Sequence, residues 1–238
     1  MKKTENVGVI GSMRPKKRYG LCVLNYIVTS NHIHLLVVDT EEDVIAKSLQ
    51  LVAGRTAQEF NQRKKRKGAF WEDRYHATAV ETDEHLAKCI VYIDLNMVRA
   101  GVVTHPAEYR LCGFNEIQNP PKRYAVIDNK ALLNFFSIDN QVRFRQEHKQ
   151  WVEAELLADV AKRKKLWSES IAIGSEEFIK KIQRQLGIRV KGRSVVSENE
   201  GTVLKESSAP YNTLFKGKKS TLRPDNSYSL DLNIRNSG

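Results

Sequence analysis

The chain has 238 residues, enough to bury one or two cores and far more than a disulfide-held miniprotein needs. Its 39 Lys and Arg against 28 Asp and Glu give a formal charge of +11, which points to a polyanionic partner such as nucleic acid, although a membrane surface fits the number equally well. The odd cysteine count (Cys22, Cys89, Cys112), with no C-x-x-C spacing, argues against a disulfide framework or zinc knuckle, and no run approaches the roughly 20 apolar residues of a membrane span.

Residues 1–18 are basic and aperiodic and read as an unstructured lead-in; their short, glycine-interrupted apolar run is too brief for an export segment. A reducing cytoplasm, with association to the nucleoid, is the expected setting. LCVLNYIV (21–28) and HIHLLVV (32–38) are β-rich runs joined by TSN and predict a β-hairpin. Thr40 and Asp43 form a capping pattern before a helix that carries Val44, Leu51 and Phe60 and runs into RKKRK at 63–67. Gly68 breaks it, and FWEDRYHATAV reads as an aromatic turn and then a strand from about 74 to 80. DEHLAKCIVYIDLNMVRAGVV predicts a helix capped by Thr82 and stopped by Gly101. Leu86, Ile90, Ile93 and Met97 share its buried stripe, which rotates Tyr92, Asn96 and Arg99 onto an adjoining face. Beyond the prolines at 120 and 121, residues 126–189 hold charged helical segments, and from 190 to 238 the chain is polar and expected to be mostly disordered.

His32 and His34 are one residue apart in a strand, so both rings project from one face and can grip one cation. The plain alternative is two surface histidines on a solvated sheet face. Two imidazoles leave a metal incomplete; further donors among Asn96, His76, His85, Asp73, Asp83 and Asp94 stay open on the residues alone. Tyr92 stands one helical turn before Asn96, which sets a phenol beside an amide.

HIH resembles the histidine-hydrophobic-histidine motif of the single-tyrosine HUH transposases. YIDLNMVRAGVV resembles the tyrosine helix of their REP-associated branch, and GAFWEDRYHATAV resembles the segment between the two. The likeness runs from about Tyr19 to about Phe114, and the three motifs in this order and spacing make it specific. It implies an α+β catalytic domain over 19–125, with a ferredoxin-like antiparallel sheet and packed helices, followed by the helical region and the disordered tail. It also implies that Tyr92 attacks single-stranded, hairpin-forming DNA to give a 5′-phosphotyrosine, and that His32, His34 and Asn96 hold Mg²⁺ or Mn²⁺. Arg63, Lys64, Lys65, Arg66, Lys67, Trp71, Arg74 and Arg99 are the expected DNA contacts, although a charge run is commonly a solvated surface and Trp71 could equally be a core anchor. No membrane role is implied, and both a monomer and a homodimer stay open.

The resemblance further implies a strand and a long helix ahead of Tyr19, which 18 residues do not supply. A sheet lacking a central strand exposes backbone donors and acceptors. The expectation is therefore an N-terminally incomplete domain, with a non-catalytic DNA-binding remnant as the alternative to an active transposase.

Overall fold

The computed structural model describes residues 19–72, 74–82, 84–158, 166–187, 193–198, 201–205 and 227–233, excepting the side chains of 168, 198 and 227–233. Its architecture is mixed α+β. The expected hairpin forms from β1 (Cys22–Val28) and β2 (His32–Val38), antiparallel with Ile27 opposite His34 and a register shift between Val23 and Asn25. After α1 (Val44–Arg63) comes β3 (His76–Val80), then α2 (Glu84–Asp94) and, after Leu95, the single turn α3 (Asn96–Arg99). Gly101 ends this run at φ 66°, with its amide donating to the Val98 carbonyl, the left-handed close that glycine adopts without strain. The expected stripe is inside: Leu86, Ile90, Ile93 and Met97 are all buried.

The start of α1 departs from the capping pattern. Asp43 lies at φ 65° and its side chain caps nothing; its carboxylate instead lies 3.8 Å from the Lys47 ammonium.

The helices that follow are α4 (Gly113–Gln118), α5 (Asn129–Phe135), α6 (Gln141–Leu157), the short α7 (Leu166–Glu169) and α8 (Glu176–Leu186). Asn140 caps α6 by accepting from the Val142 and Arg143 amides, and Ser175 caps α8 by accepting from the Phe178 amide. Helix α2 packs across β1, β2 and β3, and α6 packs on α2, so the tyrosine-bearing helix has the sheet beneath it and a further helix against it.

The sheet is wider than the sequence suggests. β4 (Ser170–Gly174), β5 (Ser194–Glu198), β6 (Gly201–Lys205) and β7 (Ser227–Asn233) join it in the order β1-β2-β7-β3-β4-β6-β5. Three of these strands lie in the tail expected to lack structure, where polar composition hides them: a strand edged by Ser, Thr, Lys and Asn carries no continuous apolar run. A central position in the sheet, between the histidine strand and β3, is filled by β7, which pairs antiparallel with β2 from His32 opposite Asn233 to Val38 opposite Ser227, and with β3 from His76 opposite Asp231 to Val80 opposite Ser227. The backbone groups that a missing central strand would orphan are paired by residues about 200 positions further along the chain (His32 with Asn233).

Candidate active site

The turn between β1 and β2 sets the first histidine. Thr29 Oγ1 lies 3.0 Å from His32 Nδ1 and Asn31 Oδ1 lies 2.8 Å from the same atom, while the His32 amide donates to Thr29 Oγ1 at 3.0 Å. The short polar connection thus holds one ring nitrogen and fixes the direction in which the other points. His34, two residues on, stands edge-on to His32 with ring centroids 4.6 Å apart. It is buried where α2 packs on β2 and Asn96, at the start of α3, reaches its ring.

Asn96 opens α3 and brings its amide Nδ2 to 3.0 Å from His34 Nε2. A half-turn of the planar amide exchanges Nδ2 and Oδ1. Two adjacent oxygen or nitrogen ligands at about 2.1 Å from a six-coordinate cation sit about 3.0 Å apart, so this spacing suits joint ligation. Among the described residues no three His, Cys, Asp or Glu side chains gather at metal-binding distance, so a donor set built on the histidine pair draws on an amide.

Tyr92 completes the cluster from one turn earlier on α2. Its ring centroid is 6.4 Å from that of His34 and 5.9 Å from that of Trp167 on α7. The Arg99 guanidinium lies 4.0 Å from the Tyr92 ring centroid and donates to the Tyr92 carbonyl at 2.5 Å. Burial pushes the Arg99 pKa below its ordinary value, and the neighbouring Tyr92 and Glu155 oppose that shift. Tyr92 is more deeply set than a residue on an adjoining face suggests, at 6% exposure, and its opening is a cavity of about 360 Å³ that it lines together with Arg99, Lys88, Trp151 and Trp167.

The other candidate donors lie in different settings. His76 Nε2 is 3.0 Å from the Ser170 carbonyl, between strands, and His85 Nδ1 is 3.8 Å from Glu81 Oε2. Asp94 points away into a buried network: its Oδ1 accepts from Asn25 Nδ2 at 3.0 Å, and its Oδ2 lies 2.8 Å from His148 Nε2 on α6. Asp73 and Asp83 lie outside the described residues.

The expected DNA contacts divide. Arg63, Lys64, Lys65 and Lys67 are exposed at the end of α1, and Arg66 is half-buried with its guanidinium 5.5 Å from the Phe60 ring centroid. Arg74 is exposed on the approach to β3. Trp71 takes the anchoring position instead: its indole N–H donates to the Ala53 carbonyl at 2.9 Å, its ring packs edge-on against buried Phe70 at 4.9 Å, and it is only half exposed. Arg99, by contrast, stands in the tyrosine cluster.

Two features had no sequence signal. The bond between Asp94 and His148 joins positions 54 residues apart. The tryptophan wall beside Tyr92 comes from α6 and α7, whose modest apolar stripes read as ordinary packing. Apolar spacing shows which face is covered but not which helix covers it.

Residues 13–96 match the family model described as "Transposase IS200 like", a span that holds His32, His34, Tyr92 and Asn96. No curated protein and no solved structure matches the chain. The paired histidines, the amide and the tyrosine brought together as described thus fall within the part of the chain, residues 13–96, that is similar to the IS200-like transposases.

Proposed function

We propose that the protein is a DNA transposase that cleaves and rejoins single-stranded, hairpin-forming DNA through Tyr92. The observation that carries this reading is the meeting of two separate pieces of chain, with the Asn96 amide 3.0 Å from His34 Nε2, His32 beside His34, and the Tyr92 ring 6.4 Å from that of His34. The Tyr92 phenol oxygen attacks the scissile phosphorus and the bond from phosphorus to the 3′ oxygen breaks. The 3′ hydroxyl leaves with a proton and the 5′ phosphate stays on the tyrosine. Covalent capture keeps the energy of the broken phosphodiester for rejoining to another strand, so no nucleotide triphosphate is needed.

A tyrosine hydroxyl ordinarily loses its proton near pH 10, so the phenolate needs help at neutral pH. Arg99, 4.0 Å from the ring centroid, supplies a cation that favours it. His32, His34 and Asn96 are the residues that would hold Mg²⁺ or Mn²⁺, and the spacing of the last two supports that assignment. Such an ion, when bound, polarises the scissile phosphate and offsets transition-state charge. The exposed basic run Arg63–Lys67, with Arg74, offers phosphate contacts whose strength falls with salt.

Labelled single-stranded hairpin DNA incubated with the full chain and Mn²⁺ tests this. A covalent adduct that disappears in Tyr92→Phe is the expected result. The competing reading is a DNA-binding remnant; retention of DNA with no adduct in the unaltered chain would establish it and end the case for strand transfer. Calorimetric titration with Mn²⁺ adds a second readout, since Asn96→Ala weakens binding about 10- to 100-fold if the amide completes the site.

A further inference from the structure

The cavity beside Tyr92 has a chemistry that phosphoryl transfer by itself does not require. Its volume, about 360 Å³, lies at the small end of ligand pockets and suits one nucleotide unit rather than a duplex. Two indoles face it, Trp151 from α6 and Trp167 from α7. Trp167 is 2% exposed and lies 5.9 Å from the Tyr92 ring at an interplanar angle of 32°. Trp151 is set in a run of rings, with centroids 5.2 Å from Phe136, 6.0 Å from Phe144 and 6.4 Å from His148. Both walls are therefore held before any ligand arrives.

The polar groups are as informative as the rings. Lys88 and Arg99 line the cavity, and so do the carboxylates Glu84 and Glu155. Glu84 and Lys88 pair at 2.6 Å on the exposed rim, and this pairing holds the Glu84 pKa below its ordinary value. An ionised carboxylate only accepts hydrogen bonds, and among nucleobase substituents it suits an exocyclic amine. A phosphate, conversely, is matched by Arg99, which also stands over Tyr92.

We propose that this cavity is a base-reading pocket: it receives one unpaired nucleobase bearing an exocyclic amino group, the base next to the phosphate that Tyr92 attacks. The inference rests on the strand-transfer reading only for placing that base beside the scissile phosphate. The base stacks against Trp151, its amine donates to Glu155, and its 5′ or 3′ phosphate runs toward Arg99 and Tyr92. Two polymer properties follow. The base must be unstacked from its neighbours, which favours single-stranded substrate, and thymine, which has no amino group, fits worst.

The three tryptophans of the chain make a direct measurement possible, because two of them line the cavity and Trp71 is elsewhere, bonded to Ala53. In full-length protein carrying Trp71→Phe, fluorescence is titrated with dAMP, dCMP, dGMP, TMP and deoxyribose 5-phosphate. Saturable quenching by at least one amino-bearing nucleotide, at least fivefold tighter than by TMP or the base-free sugar phosphate, is expected. Trp151→Leu weakens that binding about tenfold, the order of a lost base–aromatic stack. Should that variant melt early, Glu155→Gln serves instead: it keeps the side chain's size and narrows the gap between the amino-bearing nucleotides and TMP. Absence of saturable quenching, or TMP binding as tightly as the others, overturns the pocket. So does unchanged discrimination in Glu155→Gln. Nucleotide binding without a covalent DNA adduct would leave the pocket standing while removing strand transfer; an adduct without nucleotide binding would remove the pocket alone.

Discussion

Replacing His148 by leucine removes the far partner of a carboxylate that sits two residues beyond Tyr92. Asp94 is 1% exposed and His148 is wholly buried, so no solvent can take the place of the lost bond. Gln118 Nε2 lies 2.9 Å from His148 Nδ1; an Nδ1 that accepts from this amide leaves the proton on Nε2, where it is donated to Asp94 Oδ2 at 2.8 Å. After substitution, Oδ1 keeps Asn25 Nδ2 at 3.0 Å while Oδ2 faces hydrocarbon. Breaking one side of a buried polar pair of this kind costs about 3–5 kcal/mol. For a chain of this size that corresponds to a fall in melting temperature of roughly 6–20 °C, at about 2–4 °C per kcal/mol. Urea denaturation and calorimetry of the two proteins measure it. The double variant Asp94→Leu with His148→Leu recovers much of the loss, because the stranded carboxylate is gone as well. A single-variant cost under about 1 kcal/mol, or a double variant that costs the sum of the two singles, refutes the view that this buried bond ties the tyrosine helix to α6.

Gly113→Ala is expected to act on the same network from another side. A Cβ there would lie 1.9 Å from Asn25 Oδ1, so the amide that holds Asp94 must move; the variant should lose stability by about 1–3 kcal/mol in urea, and an unchanged midpoint would show the site to be slack. The Cys112 thiol, buried and near Asp94, is pushed from 9.0 up to about 12, and burial beside Glu116 also raises the Tyr26 hydroxyl. A folded pKa above the unfolded one means that the unfolded chain loses its proton first, so stability is full below pH 9 and declines as the pH climbs toward 12. Denaturation midpoints across that range should fall less steeply in Cys112→Ala. A chain shortened after residue 205 loses β7, and amide exchange along His32–Val38 should then rise by orders of magnitude; retained protection would mean that β2 does not depend on that pairing.

The parts legible in the sequence are those where neighbours in the chain are neighbours in space. The hairpin follows from two β-branched runs and a three-residue connection, and Leu86, Ile90, Ile93 and Met97 gave the buried stripe of α2 because helical spacing needs no partner to be recognised. The side-by-side histidines follow from strand alternation alone. Tyr92 and Asn96 share a face by helical spacing, yet the depth of Tyr92 depends on Trp151 of α6 and Trp167 of α7, more than 50 residues downstream, which no local pattern announces. Trp71 shows the same limit: its sequence context leaves a base platform and a core anchor equally open, and only the carbonyl of Ala53, 18 residues upstream, gives its N–H a partner within the fold. Strands β4 and β6 were hidden because their buried apolar residues, Ala172 and Ile173 in one and Val203 and Leu204 in the other, are too few and too closely flanked by polar residues to make a recognisable run.

The position of β7 has a consequence for the order in which the molecule can be built. A ribosome releases the histidine strand early, but the strand that lies between it and β3 is synthesised about 200 residues later, His32 being opposite Asn233. During translation the nascent hairpin therefore waits with one edge unpaired, a template for any passing extended segment. Closing so long a loop also makes the last step of maturation slow relative to the local hairpin and helices. The backbone pairing that flanks His32 and His34 on the β7 side is thus completed only at the end of synthesis.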